Sequence, residues 1–326
     1  MIVVTGGGGF LGGAIVRRLL ARGEAVRSVQ RSDAPQLREL GAEVVRADLG
    51  DTAAVMTALE GCDAVLHVAA KAGAWGSRES FHRANVIGTE NVLAACRTLG
   101  IRKLVYTSTP SVIHSGGDVE GVDESAPYAT HFDAHYPATK AHAERLVLAA
   151  NGPTLATVAL RPHLIWGPGD TQLTARVLAR ARAGRLRLVG GGEKLVDSVY
   201  VDNAVLAHVL ALDALGPGAP CAGKAYFVTQ GEPMPQRELI NGILAAAGLP
   251  PCTKSVSPGL AVGVGALLEG VWTLLRRSDE PPMTRFIARQ LATAHWYDIS
   301  AVKRDLGYAP EVSVADGLAR LAATRP

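Results

Sequence analysis

The sequence predicts an α/β protein: a doubly wound parallel sheet joined to a smaller, mainly helical unit. Three observations carry this. Short apolar runs alternate with segments of helical spacing through the first half of the chain, as when parallel strands are buried on both faces by crossover helices. The first run, Ile2-Val3-Val4-Thr5, leads into a glycine turn that opens a helix. The chain is also long and apolar, with 326 residues of which 48% are hydrophobic, which is ample for a large core.

In order, residues 2–5 read as a strand and 11–21 (LGGAIVRRLLA) as a helix with apolar residues at three- and four-residue spacing. Strand-like runs follow at 25–29, 44–46 and 64–68, separated by helical patterns at 36–40 and 52–59. A long amphipathic helix covers 80–99, and 104–107 is a strand. A loop rich in Gly, Asp and Ser runs to about 135. Residues 136–150 then read as a helix and 155–160 as a strand. After Arg161-Pro162 the rhythm loosens: a basic helix near 176–182, a glycine turn at 190–192, a helix at 202–215 and a strand near 225–228. The division falls at 1–165, with returning segments around 195–230, against 166–326.

Composition excludes several classes. The net charge, 33 − 30 = +3, is too small to indicate nucleic-acid binding without a clustered basic face. Arg176, Arg180, Arg182, Arg185 and Arg187 alternate with alanine and leucine, as on a solvated helix face. Cys62, Cys96, Cys221 and Cys252 form no CxxC pair. They fit a reducing cytoplasm rather than a disulfide scaffold or zinc ribbon. His131 and His135 flank Asp133 without a third ligand at convincing spacing, so no metal is expected. The chain opens on a strand, so no targeting segment is expected. Residues 258–275 (PGLAVGVGALLEGVWTLL) are at the short limit for a membrane span. They read as a buried or an interfacial helix.

The strongest motif is Thr5-Gly6-Gly7-Gly8-Gly9-Phe10-Leu11-Gly12. Gly6 allows the tight turn, Gly9 a close approach to a pyrophosphate, and Gly12 the packing of helix on strand; the N–H groups of the helix start, at Phe10 and Leu11, face the phosphates. Residues 1–165 therefore read as a dinucleotide-binding unit. An acid at the end of the second strand would hold the ribose 2′-hydroxyl of NAD. None stands between Glu24 and Asp33, whereas Arg31 can pair with a 2′-phosphate. The expected cofactor is NADP(H).

Tyr136 and Lys140 lie four residues apart on a predicted helix, hence on one face. A free tyrosine titrates near pH 10 and a neighbouring ammonium favours the phenolate, so the pair suits acid–base work near neutral pH. Upstream, Tyr106-Thr107-Ser108-Thr109-Pro110 ends a strand at the edge where ligands bind, and Thr109 or Ser108 supplies a hydroxyl there. Lys71, after the fourth strand, can hold a carboxylate as a point charge, and Trp75 can pack on an alkyl chain.

These motifs together resemble the extended short-chain dehydrogenase/reductase superfamily, with its Rossmann domain. Asp197-Ser198-Val199-Tyr200-Val201-Asp202-Asn203 and Asp305-Leu306-Gly307-Tyr308-Ala309-Pro310 further resemble its 3β-hydroxysteroid dehydrogenase family nearly end to end. The resemblance implies a catalytic set of Tyr136, Lys140 and Thr109 or Ser108, with Lys140 also bonding the nicotinamide ribose. It implies an adenine contact at Asp48-Leu49, a ribose and diphosphate contact at Ala69-Ala70, and nicotinamide contacts at Pro162 and Ile165. Asn85 matches a family helix motif and reads as structural.

Residues 69–77 (AAKAGAWGS), 106–112 (YTSTPSV), 160–170 and His295-Trp296-Tyr297 resemble more narrowly the bacterial 2-alkyl-3-oxoalkanoate reductases of olefin and β-lactone biosynthesis. This implies NADPH-dependent reduction of a long-chain, lipid-like β-keto acid, with Lys71, Trp75 and Trp166 on the substrate. It also implies a β-lactone-forming ligase downstream as a possible partner, a homodimer, at most peripheral membrane contact and no nucleic acid. Residues 258–275 are then core, a lid over lipid tails, or a membrane-surface helix. Rival readings are a sterol dehydrogenase, a nucleotide-sugar epimerase, and a non-catalytic NADP-binding protein. The last is disfavoured by the presence of both Tyr136 and Lys140.

Overall fold

Seven parallel strands form the central sheet of the computed structural model, which describes residues 1–324. They are β1 (Ile2–Thr5), β2 (Val26–Gln30), β3 (Glu43–Arg46), β4 (Ala64–His67), β5 (Lys103–Thr107), β6 (Ala156–Pro162) and β7 (Ala225–Val228). Their order is β7-β6-β5-β4-β1-β2-β3. Every residue of β1, β4 and β6 is buried, which explains their unbroken apolar runs.

Alternation sends successive side chains to opposite faces. Val4, Leu66, Val105 and Val158 belong to one core with Ile15 and Leu19 of helix Phe10–Ala21 and Ala204 and Ala211 of helix Val201–Ala214. Val3, Val65, Leu104 and Ala159 belong to a second core with Val55, Val92 and Val147, from helices Thr52–Leu59, Gly88–Leu99 and His135–Ala149. The strand order reverses between β1 and β4. Their crossover connections leave in opposite directions there, opening a crevice at the carboxyl ends of the strands.

The remaining segments build a smaller unit. It holds helices Leu173–Arg182, Gln236–Ala246, Pro258–Leu274 and Arg285–Ala292. It also holds a four-stranded sheet in the order Met234–Pro235, Leu195–Val196, His295–Tyr297, Val119–Val122. Two of those strands are two residues long, too short for any periodicity to register. Helix Pro258–Leu274 is not core: Leu260, Leu267 and Leu274 are 57%, 67% and 83% exposed. Among the described residues no helix is long and apolar enough to cross a membrane.

One buried ion pair ties helix His135–Ala149 to β6. Arg161 Nη2 donates to Glu144 Oε1 at 2.5 Å and its Nε to Oε2 at 3.0 Å, and the Tyr128 hydroxyl donates to Oε1 at 2.7 Å. Both side chains are at most 4% exposed. Such a pair contributes little net stability, but removing one partner strands a charge in the core. Arg161→Leu should therefore cost about 3–5 kcal/mol in urea unfolding, and adding Glu144→Leu should restore most of it.

Candidate active site

A single cleft of about 1130 Å³ runs along the carboxyl ends of the strands into the smaller unit. Its floor begins at the glycine turn. Gly6 has φ +73°, and a Cβ there would stand 2.8 Å from Ala69 Cα on the β4 loop. A Cβ on Gly12 would meet Gly6 O at 2.2 Å. Larger residues would thus push the turn, the helix and the β4 loop apart. Helix Phe10–Ala21 begins at Gly9 with no side-chain cap, leaving its first N–H groups and positive dipole end toward the cleft. This cradle fits a dinucleotide pyrophosphate.

His67, the last residue of β4, was not singled out in the sequence, yet it joins the two lips of the crevice. Its Nδ1 lies 2.8 Å from Thr5 Oγ1 and its Nε2 3.0 Å from Thr89 Oγ1. Thr89 donates to Asn85 O at 2.7 Å, so the ring donates from Nε2 and accepts at Nδ1. Burial pushes its pKa down to about 3, keeping it neutral. Asn85 sits in a π-helical turn, Arg83–Ile87, of the kind often found at functional sites. It accepts from Lys71 N at 2.7 Å and donates to Lys71 O and to Thr139 Oγ1, both at 3.0 Å. It thereby ties the β4 loop to the helix of Tyr136.

Tyr136, Lys140, Ser108 and Thr109 all line the cleft. Thr109 stands beside the Tyr136 hydroxyl and favours its ionised form; its Oγ1 donates to Ser111 Oγ at 3.2 Å. Ser108 Oγ is buried with no partner among the described residues, and of the two hydroxyls it is Thr109 that acts on the tyrosine's titration. Lys140 Nζ donates to Thr107 O at 2.5 Å and lies 4.1 Å from the Tyr106 ring centroid. The expectation that an ammonium brings the tyrosine into working range needs correction. Burial pushes Tyr136 up to about 12, with Thr109 pulling the other way. Burial also brings Lys140 down to about 7 against the pull of Glu144. One N–H of the amine goes to a backbone carbonyl, and at the tyrosine desolvation outweighs its charge.

Every residue expected at the dinucleotide lines this cleft: Gly6, Gly9, Phe10, Leu11, Gly12, Arg31, Asp48, Leu49, Ala69, Ala70, Lys140, Pro162 and Ile165. Arg31 is exposed and in no ion pair among the described residues. Arg46, which the sequence reading passed over, donates to its carbonyl at 3.4 Å. Asp48 accepts from Gly50 N at 2.9 Å and from Arg83 at 3.1 Å, which holds its carboxyl below the usual range.

The substrate assignments divide. Lys71 lines the cleft, its amine donating to Ser80 Oγ at 2.6 Å. Trp75 does not line it; its indole N–H donates to Arg277 O at 3.2 Å. Trp166 is wholly buried, donating to Ser198 Oγ at 3.1 Å and edge-on to Tyr200 at 5.3 Å. Trp166 is structural, because it is buried and finds a partner for its N–H away from the cleft, and Trp75 directs its N–H to the segment after helix Pro258–Leu274 instead of the cleft. The basic helix is also corrected. Arg176 forms a two-pronged pair with Glu280 at 2.8 Å, and all of Arg176, Arg180 and Glu280 line the cleft. Sequence spacing could not reveal a partner 104 residues away.

Ser111 and Gln290 also line the cleft and were missed; His163, in the loop after Pro162, and His295, quoted only for the resemblance, line it too. His114 stacks on His295 at 4.4 Å and lies edge-on to His163 at 6.4 Å. Burial pushes His114 down to about 4 and His295 to about 3, so this wall is polar but uncharged. Only Ser111 left a local signal, as the second hydroxyl after Thr109.

Comparison with known proteins agrees with this arrangement. The chain matches the 3-beta hydroxysteroid dehydrogenase/isomerase family over residues 3–255 and belongs to that family, a Rossmann-fold oxidoreductase using a dinucleotide. Among its relatives, the 2-alkyl-3-oxoalkanoate reductase of Stenotrophomonas maltophilia is 57% identical over 99% of this chain and 98% of that protein. The 2-alkyl-3-oxoalkanoate reductase of Shewanella oneidensis is 51% identical over 98% and 85%. Among solved structures, the Thermus thermophilus UDP-glucose 4-epimerase in complex with NAD superposes with a TM-score of 0.74 and 26% identity, covering 99% of both chains.

The buried amine has a measurable signature. Folded, Lys140 gives up its proton near pH 7; unfolded, near 10.5. Between these values the unfolded chain binds the extra proton, so stability rises with pH, and the cost of burying the charge is fully present below about pH 7. Lys140→Met removes this dependence. The melting temperature of the wild type minus that of the variant should climb between about pH 7 and about pH 9.5; a flat difference would contradict the assignment.

Proposed function

We propose that this chain reduces a 2-alkyl-3-oxo acid to the 2-alkyl-3-hydroxy acid with NADPH. One observation carries the reading: the Tyr136–Thr109 pair lies in a cleft that continues from the glycine turn to apolar walls at Leu239, Ile240, Ile243, Phe286 and Leu291. Near full-length identity to two 2-alkyl-3-oxoalkanoate reductases supports it. The unit around residues 1–165, with its returns near 195–230, holds the dinucleotide, and the rest holds the alkyl chains.

The glycine turn, Phe10, Leu11, Ala69, Ala70, Asp48 and Leu49 hold the dinucleotide, and Pro162 and Ile165 flank its nicotinamide. When bound, NADPH supplies hydride to the ketone carbon. Tyr136 donates its proton to the carbonyl oxygen as negative charge develops there, a role its raised pKa allows because it stays protonated at neutral pH. Thr109 orients that oxygen and shares its charge. Lys140 holds the tyrosine helix against β5 and bonds the nicotinamide ribose. Lys71 pairs with the carboxylate. Arg31, with Arg46 beside it, receives the 2′-phosphate that distinguishes NADPH from NADH. A β-keto acid loses CO2 readily because the ketone accepts electrons; reduction removes that acceptor, so the carboxylate survives. A β-lactone-forming ligase is the consumer this product suits, in the cytoplasm.

Turnover is followed by loss of NADPH absorbance. Long-chain 2-alkyl-3-oxo acids should be consumed and sterols left untouched. Arg31→Ala should raise the KM for NADPH about tenfold, the size of one charge-assisted bond, while leaving that for NADH within about twofold. Equal use of NADH by the wild type, or turnover of sterols alone, would overturn the reading.

A further inference from the structure

Residues 276–284, between helices Pro258–Leu274 and Arg285–Ala292, bridge the two walls of the cleft and have no part in the proposed chemistry. The segment opens with Arg276 at φ +50°, a left-handed turn that glycine usually supplies after a helix. One wall is the β4 loop of the dinucleotide unit. There Trp75 Nε1 donates to Arg277 O at 3.2 Å, and a Cβ on Gly73 would stand 3.4 Å from Glu280 Oε2. The other wall is helix Leu173–Arg182 of the smaller unit. There Arg176 donates to both oxygens of Glu280, each at 2.8 Å, and Arg180 donates to Pro282 O. Gly73, Arg176, Arg180 and Glu280 all line the cleft.

The bridge is built to part. Among the described residues, no backbone-to-backbone hydrogen bond joins 276–284 to either wall. Side chains alone hold it there, and segments with so few backbone ties belong to the easily opened part of a fold. The Arg176–Glu280 pair is also partly solvated, its side chains 40% and 22% exposed. Such a pair adds little net stability, so it separates readily. The Arg161–Glu144 pair, at most 4% exposed, is a fixed tie by comparison. The position matters as much as the strength. Asp170 ends the loop that leads from Pro162 and Ile165, and it caps helix Leu173–Arg182 by accepting from Leu173 N at 3.0 Å and Thr174 N at 2.6 Å. Arg176 lies in the first turn of that helix, so the pair stands one turn from the loop at the nicotinamide end of the cleft. The apolar walls at Ile240, Ile243 and Phe286 share this cleft. A site that takes in a long apolar ligand and then excludes water needs a closure that opens and shuts.

We propose that residues 276–284 are a strap that opens to admit substrate and closes over the nicotinamide end of the bound dinucleotide, latched by Arg176 and Glu280. Both are positioning residues: they hold the strap and leave the proton and hydride steps to others. The strap rests on dinucleotide binding and not on which ketone is reduced, so it stands or falls apart from the proposed substrate. It is tested on the full-length protein with NADPH bound, by acrylamide quenching of the long fluorescence lifetime of the bound nicotinamide. Glu280→Gln keeps the shape of the side chain and removes its charge. It should raise the quenching constant by about threefold, the scale of a partly exposed ion pair, while the NADPH dissociation constant stays within about twofold and the melting temperature is unchanged. Exchanging the two residues, Arg176→Glu with Glu280→Arg, should return the constant to the wild-type value, which mere loss of packing would not allow. A second measurement needs no substitution. Raising NaCl from about 0.05 M to about 1 M screens the pair, so it should move the wild type toward Glu280→Gln and leave Glu280→Gln where it was. Quenching that Glu280→Gln leaves unchanged, quenching that the exchanged pair does not restore, or a wild type indifferent to salt would each overturn the strap; if Glu280→Gln unfolds the chain, the salt response of the wild type decides alone.

Discussion

The amine of Lys140 is buried against the end of β5, bonded at 2.5 Å to the carbonyl of Thr107, and the site depends on that contact. It fixes helix His135–Ala149 to the strand end bearing Ser108 and Thr109, and so sets the tyrosine hydroxyl against the threonine. Two further ties act on the same helix. Asn85 joins it, through Thr139, to the β4 loop, and Glu144 joins it to Arg161 on β6. A helix held at three strand ends leaves Tyr136 little freedom, which is what positioning a proton donor requires.

Burial also governs the charges. It keeps Tyr136 protonated, brings Lys140 toward neutrality, and holds His67, His114 and His295 uncharged. The reacting end of the cleft is therefore polar, with Lys140 its one cation among the described residues and that one weakened by burial. Other cations line the cleft away from that end, among them Arg31 at the rim beside β2, Lys71 on the β4 loop, and Arg176 and Arg180 on the helix of the smaller unit. This separation suits a substrate whose ketone must be polarised in a dry place while its anionic groups are held apart from it.

Much of this was legible beforehand because it is local. The glycine turn, the Tyr136–Lys140 spacing and the strand end at Thr107 each sit within a dozen residues, and buried parallel strands announce themselves as apolar runs. What escaped was non-local. The His114–His163–His295 wall gathers residues from three distant segments, Arg176 meets Glu280 across 104 residues, and the small sheet pairs strands of two or three residues with one of four. Trp166 was misread because an apolar side chain beside a binding loop looks the same in sequence whether it faces ligand or core. The helix at 258–274 was ambiguous for the opposite reason: its composition suits a core, and only its exposure shows that its leucines face outward.

The most direct test of the account concerns Tyr136. In Tyr136→Phe, tryptophan or cofactor fluorescence should give an NADPH dissociation constant within about twofold of the wild type, while single-turnover oxidation of bound NADPH by a 2-alkyl-3-oxo acid falls by about a thousandfold, within the range for losing a positioned proton donor. Retention of wild-type single-turnover rates would contradict the account, since the proton would then come from another group.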